Sequence, residues 1–169
     1  MIDVSLQVDD PSSPDVVTLL AQLDAFLTSL YPTDQNYMTP VHVLCQPHVT
    51  FLTARRGVDP VGCGAVLNQD GEYAEVRRMF VVPEFRGRRL AQRILAELEK
   101  IALAKGLPVV RLETGCLQAD AIRCYERAGY ARRGRFGDYP ECERSVYFEK
   151  RLSGIDLSSL CADDRRIDR

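Results

Sequence analysis

The residues from Glu75 to Ala91 constrain the fold more than any other stretch, because the hydrophobic period changes inside them. Val76, Phe80, Val81 and Val82 are β-branched and aromatic types that suit a pleated strand. Pro83 ends that strand, since a proline cannot donate to the ladder. From Leu90, the residues Ile94, Leu98 and Ile101 follow at spacings of four, four and three, which is the apolar stripe of a helix. Arg86, Gly87, Arg88 and Arg89 lie between the two. A helix N-terminus carries unpaired N–H groups and about half a positive charge. A glycine-bearing turn of arginines at that point is built to hold an anion such as a phosphate or pyrophosphate.

The chain on either side supplies partners for this unit. Ile2 to Val8 alternates apolar and polar and reads as a half-buried strand. Ser13 and Pro14 open a helix with the stripe Val16, Leu20, Leu23, Leu27 and Leu30, and Pro32 ends it. Tyr31 to Pro40 reads as a loop, Val41 to Cys45 as a short helical turn. Strands follow at Val49 to Ala54, Val61 to Leu67 and Tyr73 to Val82. The turn between the first two runs from Arg55 to Pro60, and Asn68 to Gly71 supplies an Asp-Gly hairpin turn. Gly62 and Gly64 point to close approach of another element. The central helix runs to about Lys105, before the stop signals Gly106 and Pro108. Pro108 to Thr114 is a strand joined through that helix to the organising strand, and is expected parallel to it. Ala119 to Ala128 is a helix closed by Gly129. Tyr130 to Arg135 and Arg144 to Leu152 are strands around the loop Phe136 to Glu143, and residues 153–169 form a polar, loosely held tail. This order predicts an α/β (α+β mixed) class with one domain over residues 1–152.

A net charge of -2 and a pI near 5.7 argue against a nucleic-acid binder as a whole. Between Arg77 and Arg93, however, six arginines stand against one glutamate. Such a confined basic patch suits a small polyanion, or is simply a solvated helix start. The six cysteines form no Cys-x-x-Cys pair and only His42 and His48 accompany them, so no metal site is expected. The chain opens acidic with no apolar run behind it, so no secretory leader is expected. No run approaches the roughly 18 apolar residues of a membrane span. A cytoplasmic protein with reduced thiols is the expectation.

Two segments carry a family resemblance. Val81 to Ala91 resembles motif A of the GNAT N-acetyltransferase superfamily, which reads Arg or Gln, two residues, Gly, one residue, then Gly or Ala. Gln118 to Tyr130 resembles the later Asn-x-x-Ala-x-x-x-Tyr-x-x-x-Gly-Phe pattern of that family. The resemblance covers Val61 to Tyr147. Arg89 stands at the usual middle glycine, where it either crowds a pyrophosphate or binds it, and Gln118 stands at the usual Asn.

The resemblance implies a GNAT-like fold, with a central mixed, mostly antiparallel sheet flanked by helices, and acetyl-CoA as co-substrate. Met79, Phe80 and Val81 would present backbone groups to the pantetheine arm beside a splay in the strand. Arg86, Gly87, Arg88, Arg89, Leu90, Ala91, Gln118 and Tyr125 complete the implied cofactor-binding set, with the turn from Arg86 to Arg89 at the pyrophosphate. Tyr125 aligns with the tyrosine that protonates the coenzyme A thiolate in many members; otherwise it is a core aromatic. Glu75 resembles the general base of the histone-acetyltransferase branch; otherwise it pairs with Arg77 or Arg78. Cys116 and Cys124 read as small buried hydrophobes rather than nucleophiles.

For the acceptor, the candidates are Glu113, Asp138 and Tyr139, with His42 and Arg55 more remote. An acidic pocket would favour a cationic amine, whereas Arg77 or Arg78 facing inward would favour a carboxylate-bearing substrate. The register around the strand decides between them. The expected activity is transfer of an acetyl group from acetyl-CoA to a primary amine of a small molecule, by direct attack in a ternary complex. A monomer or homodimer is expected, with no nucleic-acid or membrane partner. Arg89 and Gln118 leave a second reading, an acyl-CoA-binding or regulatory module without turnover.

Overall fold

The computed structural model describes residues 3–154; Ile2, the tail from residue 155 and Cys161 lie outside the described residues. Seven strands, β1 (Ser5–Val8), β2 (Val49–Arg56), β3 (Asp59–Gln69), β4 (Tyr73–Val81), β5 (Val109–Gly115), β6 (Ala131–Arg133) and β7 (Ser145–Arg151), form one sheet. Their order is β1-β2-β3-β4-β5-β7-β6. Every neighbouring pair is antiparallel except β4 and β5, which run parallel because a helix connects them.

Four helices cover the sheet: α1 (Pro14–Leu30), α2 (Val41–Leu44), α3 (Leu90–Ala104) and α4 (Ala119–Arg127). On one face, α1 and α2 bury Val16, Leu19, Leu20, Leu23 and Leu44 against Phe51, Cys63, Ala65, Leu67 and Phe80. On the other, Leu90, Ile94, Leu95 and Leu98 of α3 pack with Tyr125 of α4 against Val66, Val76, Val110, Leu112 and Phe148. Gly64 is what lets α3 approach: a Cβ there would lie 2.7 Å from Met79 Sδ and 2.8 Å from Leu98 Cδ1. Among the described residues, no helix is long and apolar enough to cross a membrane.

Two local expectations are corrected. The turn expected over Arg55 to Pro60 shrinks to Gly57 and Val58, and β2 continues through Arg56. Arg55 anchors this extension, its guanidinium paired with Asp9 and Asp15 at 2.7 Å each. Ser13 takes the N-cap position of α1, but its hydroxyl donates to the Asp10 carbonyl at 2.8 Å and caps nothing.

Candidate active site

The site starts from a fault in the central strand. Ala65 of β3 pairs with Arg77 of β4, and Cys63 with Phe80, so Arg78 and Met79 together face only Gly64. Such a bulge bends its strand and shifts the alternation of side chains by one position. Arg78 absorbs it in the left-handed region at φ 58°. Its guanidinium is held by Asp24 of α1 at 2.5 Å, and its carbonyl accepts the Cys63 thiol at 3.3 Å. Arg77, by contrast, donates to Thr39 in the α1–α2 connection at 3.0 Å. The bulge thus sends two consecutive arginines to the same side of the sheet, which an unbroken strand could not do.

On its other edge, β4 pairs with β5 only from Ala74 to Val76. Beyond that point the strands part. A cleft opens between Arg77, Arg78 and Met79 on one wall and Glu113, Thr114 and Gly115 on the other. Tyr31 seals one end by lying on Gly115, where a Cβ would fall 2.0 Å from its hydroxyl. That hydroxyl accepts the Leu117 amide at 3.1 Å. Gln118, just before α4, and Tyr125 on α4 line the cleft, as do Tyr37, Tyr139 and Arg144.

The two candidate carboxylates differ in how they are used. Glu75 is buried beneath the cleft rather than lining it. One of its oxygens accepts from Arg77 at 2.9 Å and from the Tyr139 hydroxyl at 2.5 Å; the other accepts from Gln69 at 2.6 Å. Glu113 lines the cleft. Its Oε1 accepts the Ser145 hydroxyl at 2.7 Å, and its Oε2 has no partner among the described residues. Burial raises the Glu113 carboxyl above its ordinary value, partly opposed by Ser145 and by the charge of Arg77. Tyr125 also faces the cleft, its hydroxyl without a hydrogen bond among the described residues, and burial pushes it well above an ordinary phenol.

Past β4, Pro83–Phe85 make one turn of tight helix, and Arg86 returns to donate to the Val81 carbonyl at 3.0 Å. Its guanidinium stacks over Phe26 at 5.3 Å. Gly87 and Arg89 follow with φ of 75° and 58°. The amides from Gly87 to Gln92 donate to no group among the described residues; Arg93, bonded to the Arg89 carbonyl at 3.0 Å, is the first that does. Arg88 and Arg89 extend into solvent beside this row of free donors. Free amides, left-handed residues and two cations together make an anion cradle.

The sequence pattern of the Acetyltransferase (GNAT) family matches residues 18–130. The chain belongs to the GNAT acetyltransferase family. It is 40% identical over 153 residues to the IAA acetyltransferase of Azospirillum brasilense, which covers 90% of this chain and 100% of that protein. A solved Klebsiella pneumoniae structure described as an acyl-CoA N-acyltransferase superposes with a TM-score of 0.77 at 31% identity, covering 90% of this chain and 100% of that one. The PaiA N-acetyltransferase of Thermoplasma acidophilum, solved with coenzyme A, shares the fold at a TM-score of 0.69 and 16% identity, covering 89% of this chain and 99% of that one.

As a GNAT acetyltransferase, the protein uses acetyl-CoA as co-substrate, and the free amides after Arg86 fit the pyrophosphate of that molecule. Arg89 occupies a left-handed position, which is why glycine is usual there; its side chain leaves for solvent and does not fill the cradle. Other expectations are corrected. Asp138 is exposed and away from the cleft, because its loop turns outward once Phe136 and Tyr139 are buried. Arg55 is committed to its two aspartates, and His42 sits exposed on α2 away from the cleft. Cys116 is exposed in the turn after β5, while Cys124 is half-buried with its thiol raised by burial. Sequence reasoning missed Tyr31, Tyr37, Thr39, Asp24 and Arg144. The length of the α1–α2 connection was the one available signal, since long loops often carry function.

Proposed function

We propose that the protein acetylates a primary amine of a small molecule by direct attack in a ternary complex, with Glu113 as general base and Tyr125 as general acid. The observation that carries this is one cleft holding a carboxylate with a free oxygen and a tyrosine with a free hydroxyl. It lies at the parting of β4 and β5, one strand-end from the anion cradle. Acetyl-CoA supplies an acetyl group activated as a thioester.

Arg88, Arg89 and the amides after Arg86 hold the pyrophosphate, and the unpaired edge of β4 from Met79 to Val81 lines the path of the pantetheine. Glu113 Oε2 takes a proton from the ammonium. The nitrogen then bonds to the acetyl carbon as the carbon–sulfur bond breaks, Tyr125 protonating the sulfur and regaining a proton from the acylated nitrogen. Burial opposes a free phenolate at Tyr125, so its hydroxyl suits a relay in which the proton passes to sulfur as the proton of the acylated nitrogen replaces it. Glu75 serves instead to orient Arg77 and Tyr139. A small-molecule acceptor agrees with the relative named IAA acetyltransferase. Free thiols, with no disulfide among the described residues, agree with a cytoplasmic setting.

The test is release of free coenzyme A from acetyl-CoA against a panel of amines, with initial rates measured over both substrates. Amine-dependent release with intersecting double-reciprocal lines is expected. Binding of acetyl-CoA without release for any amine would favour the binding module.

A further inference from the structure

We infer that the acceptor carries a carboxylate beside its amine, as a free α-amino acid does, and that Arg144 and Arg77 receive that carboxylate. The inference rests on the acetyltransfer reading above and names the substrate class of the same cleft. Among the described residues, three arginines line the cleft and one carboxylate, Glu113, does. Their charges are spent unequally. Arg78 is buried against Asp24. Arg77 gives its Nε to Glu75 and one terminal nitrogen to Thr39, leaving its third nitrogen without a partner among the described residues. Arg144 has neither an ion pair nor a side-chain hydrogen bond among the described residues, although it lines the same space.

Both residues line the cleft that holds Glu113. Ser145, the neighbour of Arg144 in the chain, donates to Glu113 Oε1 at 2.7 Å, and the charge of Arg77 acts on the same carboxylate from β4. An amine delivered to Glu113 Oε2 therefore enters a cleft where the charge of Arg77 already acts on that carboxylate and Arg144 contributes to the lining. A carboxylate one carbon from that amine would meet planar donors in the geometry guanidinium favours. An acceptor with several ammonium groups would be repelled, and a plain amine would leave Arg144 facing the cleft unused. The rings of Tyr37 and Tyr139, edge to face at 5.8 Å, with Met38 beside them, give the side chain of the amino acid an apolar wall.

The experiment compares L-phenylalanine, L-phenylalaninamide and phenethylamine as acceptors, following coenzyme A release. Phenylalaninamide keeps the amine and the ring, removes the negative charge, and stands in for a peptide N-terminus. In the native enzyme, kcat/KM for phenylalanine should exceed that for the amide by about 100-fold or more, because a site built for a charged group rejects the analogue lacking it. Arg144→Gln should reduce that ratio by at least about 10-fold, and Arg144→Lys should restore part of it. Equal use of the amide, or a ratio unmoved by Arg144→Gln, would overturn the inference and leave acetyltransfer standing. So would turnover confined to amines with no carboxylate. No coenzyme A release with any amine would overturn acetyltransfer and this inference together.

Discussion

Replacing Glu113 by Gln is the most informative single change, because rate and stability should move in opposite directions. The amide keeps the shape of the side chain and still accepts the Ser145 hydroxyl, so the cleft should hold its form. What disappears is a proton acceptor. A positioned general base contributes roughly 10²- to 10⁴-fold, a barrier difference of about 2.7 to 5.4 kcal/mol. The unpartnered Oε2 and the enclosure of Glu113 argue for the upper part of that range. Since the base works ionised, the native rate should rise with pH through a value above the ordinary 4.5, and that limb should vanish in the variant.

The deficit should shrink at alkaline pH, where the amine arrives already deprotonated. For stability the sign is the reverse. Burial raises the folded-state pKa, so the contribution of Glu113 is full below its unfolded value and is lost as pH rises through the folded one. Glu113→Gln should therefore melt higher than the native protein at neutral pH, and the gain should disappear near pH 4. Initial rates from pH 6 to 10 and melting curves at acidic and neutral pH test both arms. A variant within a few-fold of native rate at every pH would refute the assignment of the base. One that melts lower at neutral pH would refute the account of burial.

Three further changes probe the rest of the site. Glu75→Gln leaves Arg77 and Tyr139 facing a neutral amide, so the melting temperature should fall by the equivalent of about 1–3 kcal/mol. The acidic limb of the rate should survive in that variant; its loss would return the base to Glu75. Tyr125→Phe deletes a hydroxyl that bonds to nothing among the described residues, so stability should hardly change. Its kcat should drop about 10-fold or more while acetyl-CoA affinity stays within a few-fold, and an unchanged kcat would make the ring a core aromatic only. Saturating acetyl-CoA at 100 times its Kd should stabilise the native protein by about 2.7 kcal/mol. Changing both Arg88 and Arg89 to Glu should abolish this thermal shift, and a persisting shift would locate the pyrophosphate elsewhere. Arg86 is the wrong target for this test, since it also holds the Val81 carbonyl.

The elements of this protein and the order of its sheet partners were largely legible along the chain. Val76 to Leu90 announces its own strand, turn and helix, and a helix between two strands leaves a parallel pair as the solution. The free amides of that turn were legible for the same reason, because they follow from any helix start, and Arg88 and Arg89 follow from the sequence itself. The chemistry of the cleft was not. Periodicity assigns side chains to faces only while a strand is regular, and the bulge at Arg78 and Met79 shifts every residue after Arg77 by one place. Whether Arg77 and Arg78 share one side of the sheet hangs on that single inserted residue. The choice between Glu75 and Glu113 was equally closed to local reasoning, since both are glutamates on neighbouring strands. Tyr139, 64 residues beyond Glu75, donates to one and so occupies it, while the parting of β4 and β5 exposes the other. Local pattern specifies what each segment becomes; contacts between distant segments decide which carboxylate remains free to act.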